Sequence, residues 1–546
     1  MQKVSNLNSF VTSLTKNTYM RQKFKILLTL LSFVMVQTMF AQEKQITGSV
    51  QDASGVPLLG VNILVKGTST GTQTDFDGNY TIEASTGETL VFSYVGYTPK
   101  EVVVGESSTI DVVLEQGEAL ETVVVTALGI SREKKSLGYS TQQVSSDELN
   151  VTRPSNAINS LSGKVAGVQI TNPTGNLGGS SRIVLRGIGS VTGENKPLIV
   201  VDGIPLDNSN YNSTTAQVGS GGRDYGDAGF DINPDDVESI NVLKGGAAAA
   251  LYGSRASNGV IQITTKSGKE GKGQVTVNSG VTFETVNILP QVQKLYGGGA
   301  GDPNTIEQST FDTAVINGTT YNIVDYATDE SWGPRYNGQQ VLHWDAFDPE
   351  FPQDFLNPRE WKYPKNDRED FFNTGISFNN GVAFTQGTED TQFRLSVNNT
   401  KTKGIVPNSE LNKNTVNFNG SSQISERLKV DAGVNFTVTD GFNRPESGYG
   451  DNSVILQLYQ FGQTSLDFER LKKFQLPDGT QRTWNRIAFD NPKARYTDNP
   501  YWILNKNIAT DKRTRWYGNL GLQYDITDKI YAVGKIYADT YNLRIN

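Results

Sequence analysis

The sequence predicts a mainly β chain: a small β-sandwich, then an α+β block, then the first strands of a transmembrane antiparallel β-barrel. Three observations predict it. Glycine is abundant, at 55 of 546 residues, while charged residues make up only 19%, a composition that suits turns and strands better than helices. Residues 46–115 break into short stretches that alternate apolar and polar side chains, with Gly at the breaks. After Gly273 a period-2 pattern sets in, and the connections between its segments alternate short and long. A chain this long also holds several domains, because single cores rarely grow past ~250–300 residues.

Composition excludes several functions. A net charge of −8 and a pI near 5.1 argue against a nucleic-acid partner, whose phosphates need a basic surface. There is no cysteine, so disulfides, thiol catalysis, iron–sulfur clusters, Cys-zinc sites and a lipid-carrying cleavage site are all out. The single histidine, His343 in "VLHWD", sits in a polar loop, and one His without Cys supports neither a zinc site nor a Ser-His-Asp triad. The mean hydropathy of −0.41 is not that of a helical membrane protein. No cofactor and no enzymatic activity are expected.

Residues 1–41 read as an N-terminal extension and a signal peptide. "MRQKFK" (residues 20–25) is a basic n-region, residues 26–40 are an apolar run, and Ala41-Gln42 is the expected cleavage point. A retained anchor helix is the alternative, although the run is short for a bilayer span. Residues 1–19 fit a start codon assigned too early.

Residues 44–116 form the sandwich. The stretches "ITGSVQD", "GVNILVKGT", "GTQTDFDGNYTIEA", "TLVFSYVGYTPKEVVV" and "TIDVVLE" supply its strands. In "DFDGNY" (Asp75 to Tyr80) the Gly falls too early for the EF-hand spacing. A tight hairpin turn with Gly78 or Asn79 at positive φ is expected instead.

Residues 150–270 form the second block. "NAINSLSGKVAGVQIT" reads as a short helix leading into a strand, Val237 to Leu243 as a strand, Gly245 to Tyr252 as a tight turn into one or two helical turns, and "NGVIQITTK" as another strand. "RGIGSVTG" is not G-x-G-x-x-G and "KGGAAAALYG" lacks G-K-[ST], so a nucleotide site is not expected. "RDYGDAGFDINPDD" (Arg223 to Asp236) offers the carboxylates of Asp224, Asp227, Asp231, Asp235 and Asp236. Asp224, Asp227 and Asp231 are weak calcium candidates; the preferred reading is a solvated loop before the strand at Val237.

From 271 to 546 the code is that of a wall between lipid and water. Val275, Val277, Val281 and Phe283, then Ile376, Phe378, Val382 and Phe384, then Phe393, Leu395 and Val397 alternate with polar residues. So do Leu428, Val430, Ala432, Val434, Phe436 and Val438, and Leu520, Leu522 and Tyr524. Alternation alone also fits a soluble sandwich. Loop lengths favour the barrel: short turns are expected near 386–390, 421–427 and 525–529, long connections at 287–372, 402–413 and 441–513. The long connections hold Trp332, Trp344, Trp361, Trp484 and Trp502, which either grip sugars or peptides by stacking or pack the loops together. About seven strands are expected. Seven leave two unpaired edges in lipid, so this stretch reads as part of a larger barrel; plugged ones close with about 22 strands.

"ETVVVTALG" (121–129) then reads as a lone strand between modules, followed by a polar tether at 130–149. A lone strand needs a partner for its backbone, and an extended apolar segment can add to the edge of another protein's sheet. The alternative is that 121–126 forms the last strand of the sandwich.

"LSGKVAGVQI", "RIVLRGIGS", "PLIVVDGIP" and "INPDDVESINVLKGGAAAALYGSRASNGVIQITTK" occur together and in order. The block they build resembles the plug domain of TonB-dependent outer-membrane receptors, with wording like the SusC/RagA branch. The sandwich ahead of it is similar to the transthyretin-like carboxypeptidase-regulatory-like domain, which has no catalytic residues of its own. The resemblance implies a plug motif at Arg182, Arg186, Gly187, Asp202, Gly203, Lys244, Gly245, Tyr252 and Gly253. It places a TonB box within 119–129, on Glu121, Thr122, Val123, Val124, Val125, Thr126 and Ala127. It further implies import of glycans or oligopeptides across the outer membrane, energised by a TonB-type periplasmic protein, with a SusD-like surface lipoprotein as partner and the sandwich in the periplasm. A receptor or signal transducer without transport, and a secreted hydrolase with a regulatory sandwich, are the alternatives; no catalytic constellation supports the latter.

Overall fold

A computed structural model describes residues 44–68, 70–94, 96–115, 123–125, 131–133, 141–149, 156–172, 176–191, 195–209, 212, 214–217, 220–302, 304–305 and 309–546. The expected signal peptide lies outside them. The chain divides into two compact units, Met1–Val123 and Val124–Asn546.

The first unit is the expected sandwich. Strands Asn79–Ala84, Lys44–Asp52 and Val112–Leu114 form one sheet, in that order; Gly71–Gln73, Asn62–Val65, Thr89–Ser93 and Lys100–Val103 form the other. Alternate residues point inward, so Ile46, Val50, Ile63, Val65, Ile82, Leu90, Phe92 and Leu114 are buried in one cluster. Each such side chain contributes about 1.5–3 kcal/mol over leaving it in water. In "DFDGNY" the turn is real but is not a hairpin, because Gly71–Gln73 and Asn79–Ala84 lie in different sheets. Asp75 accepts from the backbone N–H of Asp77 and Asn79 at 3.0 and 2.8 Å. Gly78 takes φ 76°, and a Cβ there would meet the carbonyl oxygen of Val50 at 2.7 Å. The turn therefore carries the chain from one sheet to the other against the neighbouring strand.

The second unit holds the α+β block and the wall. The block is built on a five-stranded sheet in the order Thr141–Ser145, Val237–Leu243, Val260–Thr265, Leu198–Val201, Ile204–Pro205. Leu198–Val201 and Val260–Thr265 run parallel; the other pairs are antiparallel. The expected short helix is a 3₁₀ turn, Ala157–Leu161, capped by the Asn156 side chain. The small-residue run forms a helix, Gly246–Tyr252, entered through Gly245 at φ 73°. Ile199, Val201, Ile240, Val242, Ile261 and Ile263 line the core.

The wall is one antiparallel sheet of seven strands in sequence order: Gly271–Glu284, Gly375–Gly387, Thr391–Lys403, Glu410–Ser425, Leu428–Phe442, Thr510–Thr527 and Ile530–Ile545. Among the described residues the sheet does not close. Leu395, Val397, Val434, Phe436, Leu520 and Leu522 are exposed on its outer face, while Arg394, Ser396, Asn435, Thr437, Arg513 and Arg515 are buried on the inner one. This is the alternation of lipid-facing and lumen-facing positions. The turns at one end are tight, at 388–390, 426–427 and 528–529; the other end carries 285–374, 404–409 and 443–509. Two boundaries differ from expectation. The fourth strand runs to Ser425, so the 421–427 turn shrinks, and the connection expected at 402–413 is strand at both ends, leaving 404–409 between strands. Polar residues such as "SSQIS" continue the ladder because one face of the wall is polar by design.

The two long connections fold together. Trp344, Trp361, Phe371, Val454, Leu458, Phe468, Trp484 and Leu504 belong to one buried cluster. Of the five loop tryptophans, Trp344, Trp361 and Trp484 are buried and only Trp332 is strongly exposed. Packing the loops, rather than stacking on ligands, is what most of these rings do.

Candidate functional site

The strand at 121–129 is not alone. Val123–Val125 pairs with Ser131–Glu133 in a two-stranded sheet, and neither sheet of the sandwich includes it. The chain supplies its own first partner, and one edge of that pair lies next to no other described strand. Glu121, Thr122, Thr126 and Ala127 fall outside the described residues.

Ahead of the wall, the acidic loop expected to be solvated is instead the seam between block and wall. Asp231, Asp236 and Asp227 are buried. Arg513 and Arg515, at i and i+2 on the sixth strand, both pair with the Asp231 carboxylate, Arg515 at 3.2 Å. Arg515 also holds Asp539 at 2.6 Å and donates to the carbonyl of Asp207 at 2.9 Å. Asp236 takes Arg394 at 2.8 Å, the Ser396 hydroxyl at 2.5 Å and the Asn398 amide at 3.0 Å. Lys413 donates to the carbonyl of Phe230 at 2.9 Å and Thr437 to that of Asp231 at 3.0 Å. Arg444 pairs with Asp511 at 2.7 Å and reaches the carbonyl of Leu177. Arg394, Lys413, Thr437, Arg513 and Arg515 thus reach from the wall to the block, whereas the Arg444–Asp511 and Arg515–Asp539 pairs do not.

The same accounting bears on calcium. Asp224 accepts from the Ser180 N–H and hydroxyl at 2.6 and 2.7 Å and from the Asn212 amide at 2.7 Å. Asp227 accepts from the N–H of Ser181 and Phe230 at 2.8 and 3.1 Å, and burial pushes its carboxyl pKa up. With Asp231 held by two arginines, the three carboxylates serve three separate sets of protein donors. Among the described residues no cluster of three metal-ligating side chains forms.

The plug-motif residues serve the backbone. Arg182 opens a strand; Arg186 and Gly187 follow it at φ 60° and 92°, and the Arg186 N–H donates to the carbonyl of Gly167 at 2.8 Å. Asp202 and Gly203, at φ 49° and 86°, make the two-residue turn between Leu198–Val201 and Ile204–Pro205, the positive-φ pair that a tight hairpin requires. The Asp202 carboxylate accepts from the Thr265 N–H and hydroxyl at 2.9 and 2.7 Å, and burial raises its pKa. Lys244 donates to the carbonyl of Ala166 at 2.5 Å. A Cβ on Gly245 would lie 2.9 Å from the Arg186 guanidinium, so Arg186, Lys244 and Gly245 come together. Tyr252 packs against the neighbouring core and Gly253 caps its helix at φ 74°. Sequence reasoning missed Arg394, Lys413, Arg444, Arg513 and Arg515. For all but Arg444, which lies in the connection after Leu428–Phe442, the signal was a cation at inward positions of strands whose outward positions are apolar, opposite an acidic loop.

Comparison with known proteins agrees with this architecture. The family described as TonB-dependent Receptor Plug Domain matches residues 133–260, and the CarboxypepD_reg-like domain matches residues 46–126. TonB-dependent receptor SusC of Bacteroides thetaiotaomicron is 31% identical over 487 residues, covering 87% of this chain and 42% of SusC. A TonB-dependent receptor of Formosa agariphila is 33% identical over 408 residues, covering 74% of this chain and 36% of its own length. The solved structure of the RagAB peptide importer in its open-open state matches with a TM-score of 0.53 at 19% identity, over 78% of this chain and 43% of that one; it shares the fold. The chain spans 42% and 36% of the lengths of these two curated relatives. With its regulatory-like sandwich, its plug and its wall of alternating strands in this order, the chain belongs to the TonB-dependent receptors of the SusC/RagA type.

Proposed function

We propose that the intact protein imports large nutrients, glycans or oligopeptides, across the outer membrane, energised by a TonB-type periplasmic protein through residues 121–127. An outer membrane has no ATP of its own, so uptake against a gradient needs work delivered from the inner membrane. The observation that carries the reading is the position of a short strand, Val123–Val125, ahead of a plug that is pinned to the wall by buried ion pairs. Backbone hydrogen bonds to a partner strand there would transmit a pull. That pull would have to break the Asp231 and Asp236 contacts, a conformational gate rather than a chemical step. In this reading the domains run 44–116, 119–129, 130–149, 150–270 and 271–546, with the sandwich in the periplasm. A SusD-like lipoprotein covers the long-loop end and shares ligand capture.

The test is Val124→Pro, which removes a ladder donor. In the intact protein it is expected to abolish uptake driven by the proton-motive force while surface ligand binding stays unchanged. Uptake at the wild-type rate would refute the assignment. Binding without any energised uptake in the wild type would favour a receptor that does not transport.

A further inference from the structure

Between the two long connections lies a cavity of about 530 Å³, with Trp344, Phe347, Phe355 and Phe489 among its walls. Its size is that of a small-ligand site, roughly 300–1,000 Å³. The carboxylates of Asp348, Glu350, Asp478 and Asp490 line it against the guanidiniums of Arg482 and Arg486, so the cavity is net acidic. Arg482 holds Asp348 and Glu350. Arg486 is buried; its Nη1 donates to the carbonyl of Trp344 at 3.2 Å and its guanidinium lies over the Phe347 ring at 5.6 Å. Asp478 accepts from the Thr480 N–H and hydroxyl at 2.9 and 2.6 Å. Asp478 and Asp490 are both exposed, and no described Lys or Arg forms an ion pair with either. The Thr483 hydroxyl, also on the wall, donates to the carbonyl of Thr497 at 3.2 Å.

An excess of negative charge repels an anionic ligand and attracts a cation. The rings act in the same direction, because a cation is drawn to an aromatic face. Arg486 already sits on Phe347 in this way, whereas no described cation lies over Phe355 or Phe489. A lysine or arginine side chain answers both features: its methylene stem packs on the rings while its charged head reaches the carboxylates. A neutral sugar can donate hydroxyls to the same carboxylates, but it gains nothing from their excess charge. We propose that this cavity binds a lysine or arginine side chain of a peptide, with the stem against Phe355 and Phe489 and the head at Asp478 and Asp490. This narrows the import reading to peptides that carry basic residues and rests on it only for the fate of the ligand; binding itself needs no energy.

The test uses the purified full-length protein in detergent and a labelled tetrapeptide containing one lysine, free or Nε-acetylated, followed by fluorescence anisotropy. Acetylation keeps the stem and removes the charge. The free lysine is expected to bind about fivefold more tightly, since exposed carboxylates and one ring face each add only a modest attraction. The double variant Asp478→Asn with Asp490→Asn, both at exposed positions, is expected to remove that difference. Equal affinity of the two peptides, no binding of either, or a difference that survives in the double variant overturns the proposal. So does cellotetraose that binds and is lost in the double variant when neither peptide binds, which would make the site one for neutral glycans. Lysine-selective binding without energised uptake would sink the import reading alone.

Discussion

At Asp231 two guanidiniums from the wall meet one carboxylate of the plug, all three groups buried. Removing one partner of such a pair leaves charge without compensation, at about 3–5 kcal/mol. Asp231→Ala is therefore expected to lower the unfolding temperature of the plug-and-wall unit and to make cells expressing the intact protein leak small solutes. A variant with unchanged melting and no leak would show that the pairs do not hold the plug. His343 gives a second residue-scale test. Its ring packs against Trp361 at 5.5 Å, and burial, helped by Arg359, pushes its pKa down from 6.5 to about 3. The folded state thus resists protonation. Stability from this group is fully present above about pH 6.5 and is lost as pH falls from there toward 3. The loss is on the order of 1–2 kcal/mol once the ring's partial exposure is allowed for. Thermal melts from pH 7 to 4 are expected to show a slope that His343→Asn flattens; identical slopes would exclude His343 as the source.

Elements were legible where chemistry is local. "VDGIP" encodes a two-residue turn because Asp and Gly tolerate the positive φ that Asp202 and Gly203 adopt. Gly203→Val at φ 86° is expected to cost about 1–3 kcal/mol, seen as weaker hydrogen-exchange protection of Leu198–Val201. Protection equal to wild type would contradict the turn's role. The loop tryptophans were not legible in the same way. Nothing in "VLHWD" or "REWKY" says that Trp344 and Trp361 face inward, because the two connections that bury them are far apart in the chain. Within the first connection Gly297 lies tight against one of these rings: a Cβ there would lie 1.9 Å from the Trp361 ring. Gly297→Ala is expected to destabilise the packed connections by about 1–3 kcal/mol, read as earlier loss of tryptophan fluorescence on heating. The strand at 123–125 was found from its β-branched run, but its partner was not, since "SRE" at 131–133 carries no strand pattern.

At the scale of the molecule, the wall was readable because lipid on one side and water on the other impose a period of two over each strand. The count of about seven strands and the alternation of tight and open ends both hold. The seam was not readable, because an acidic loop looks the same whether water or arginines await it. Only the fold brings Asp231 and Arg513 together across 282 positions of sequence. The same assembly connects the strand ahead of the plug to the wall through one continuous backbone. In the proposed reading a pull on residues 123–125 meets its partner strand Ser131–Glu133 before it reaches Thr141–Ser145, an edge strand of the plug sheet. The measurement that tests this most directly is site-specific crosslinking from position 124 of the intact protein in living cells. The account predicts a crosslink to a periplasmic energy-transducing protein that disappears when the proton-motive force is dissipated. Crosslinks that stay within the chain in energised, importing cells would contradict it.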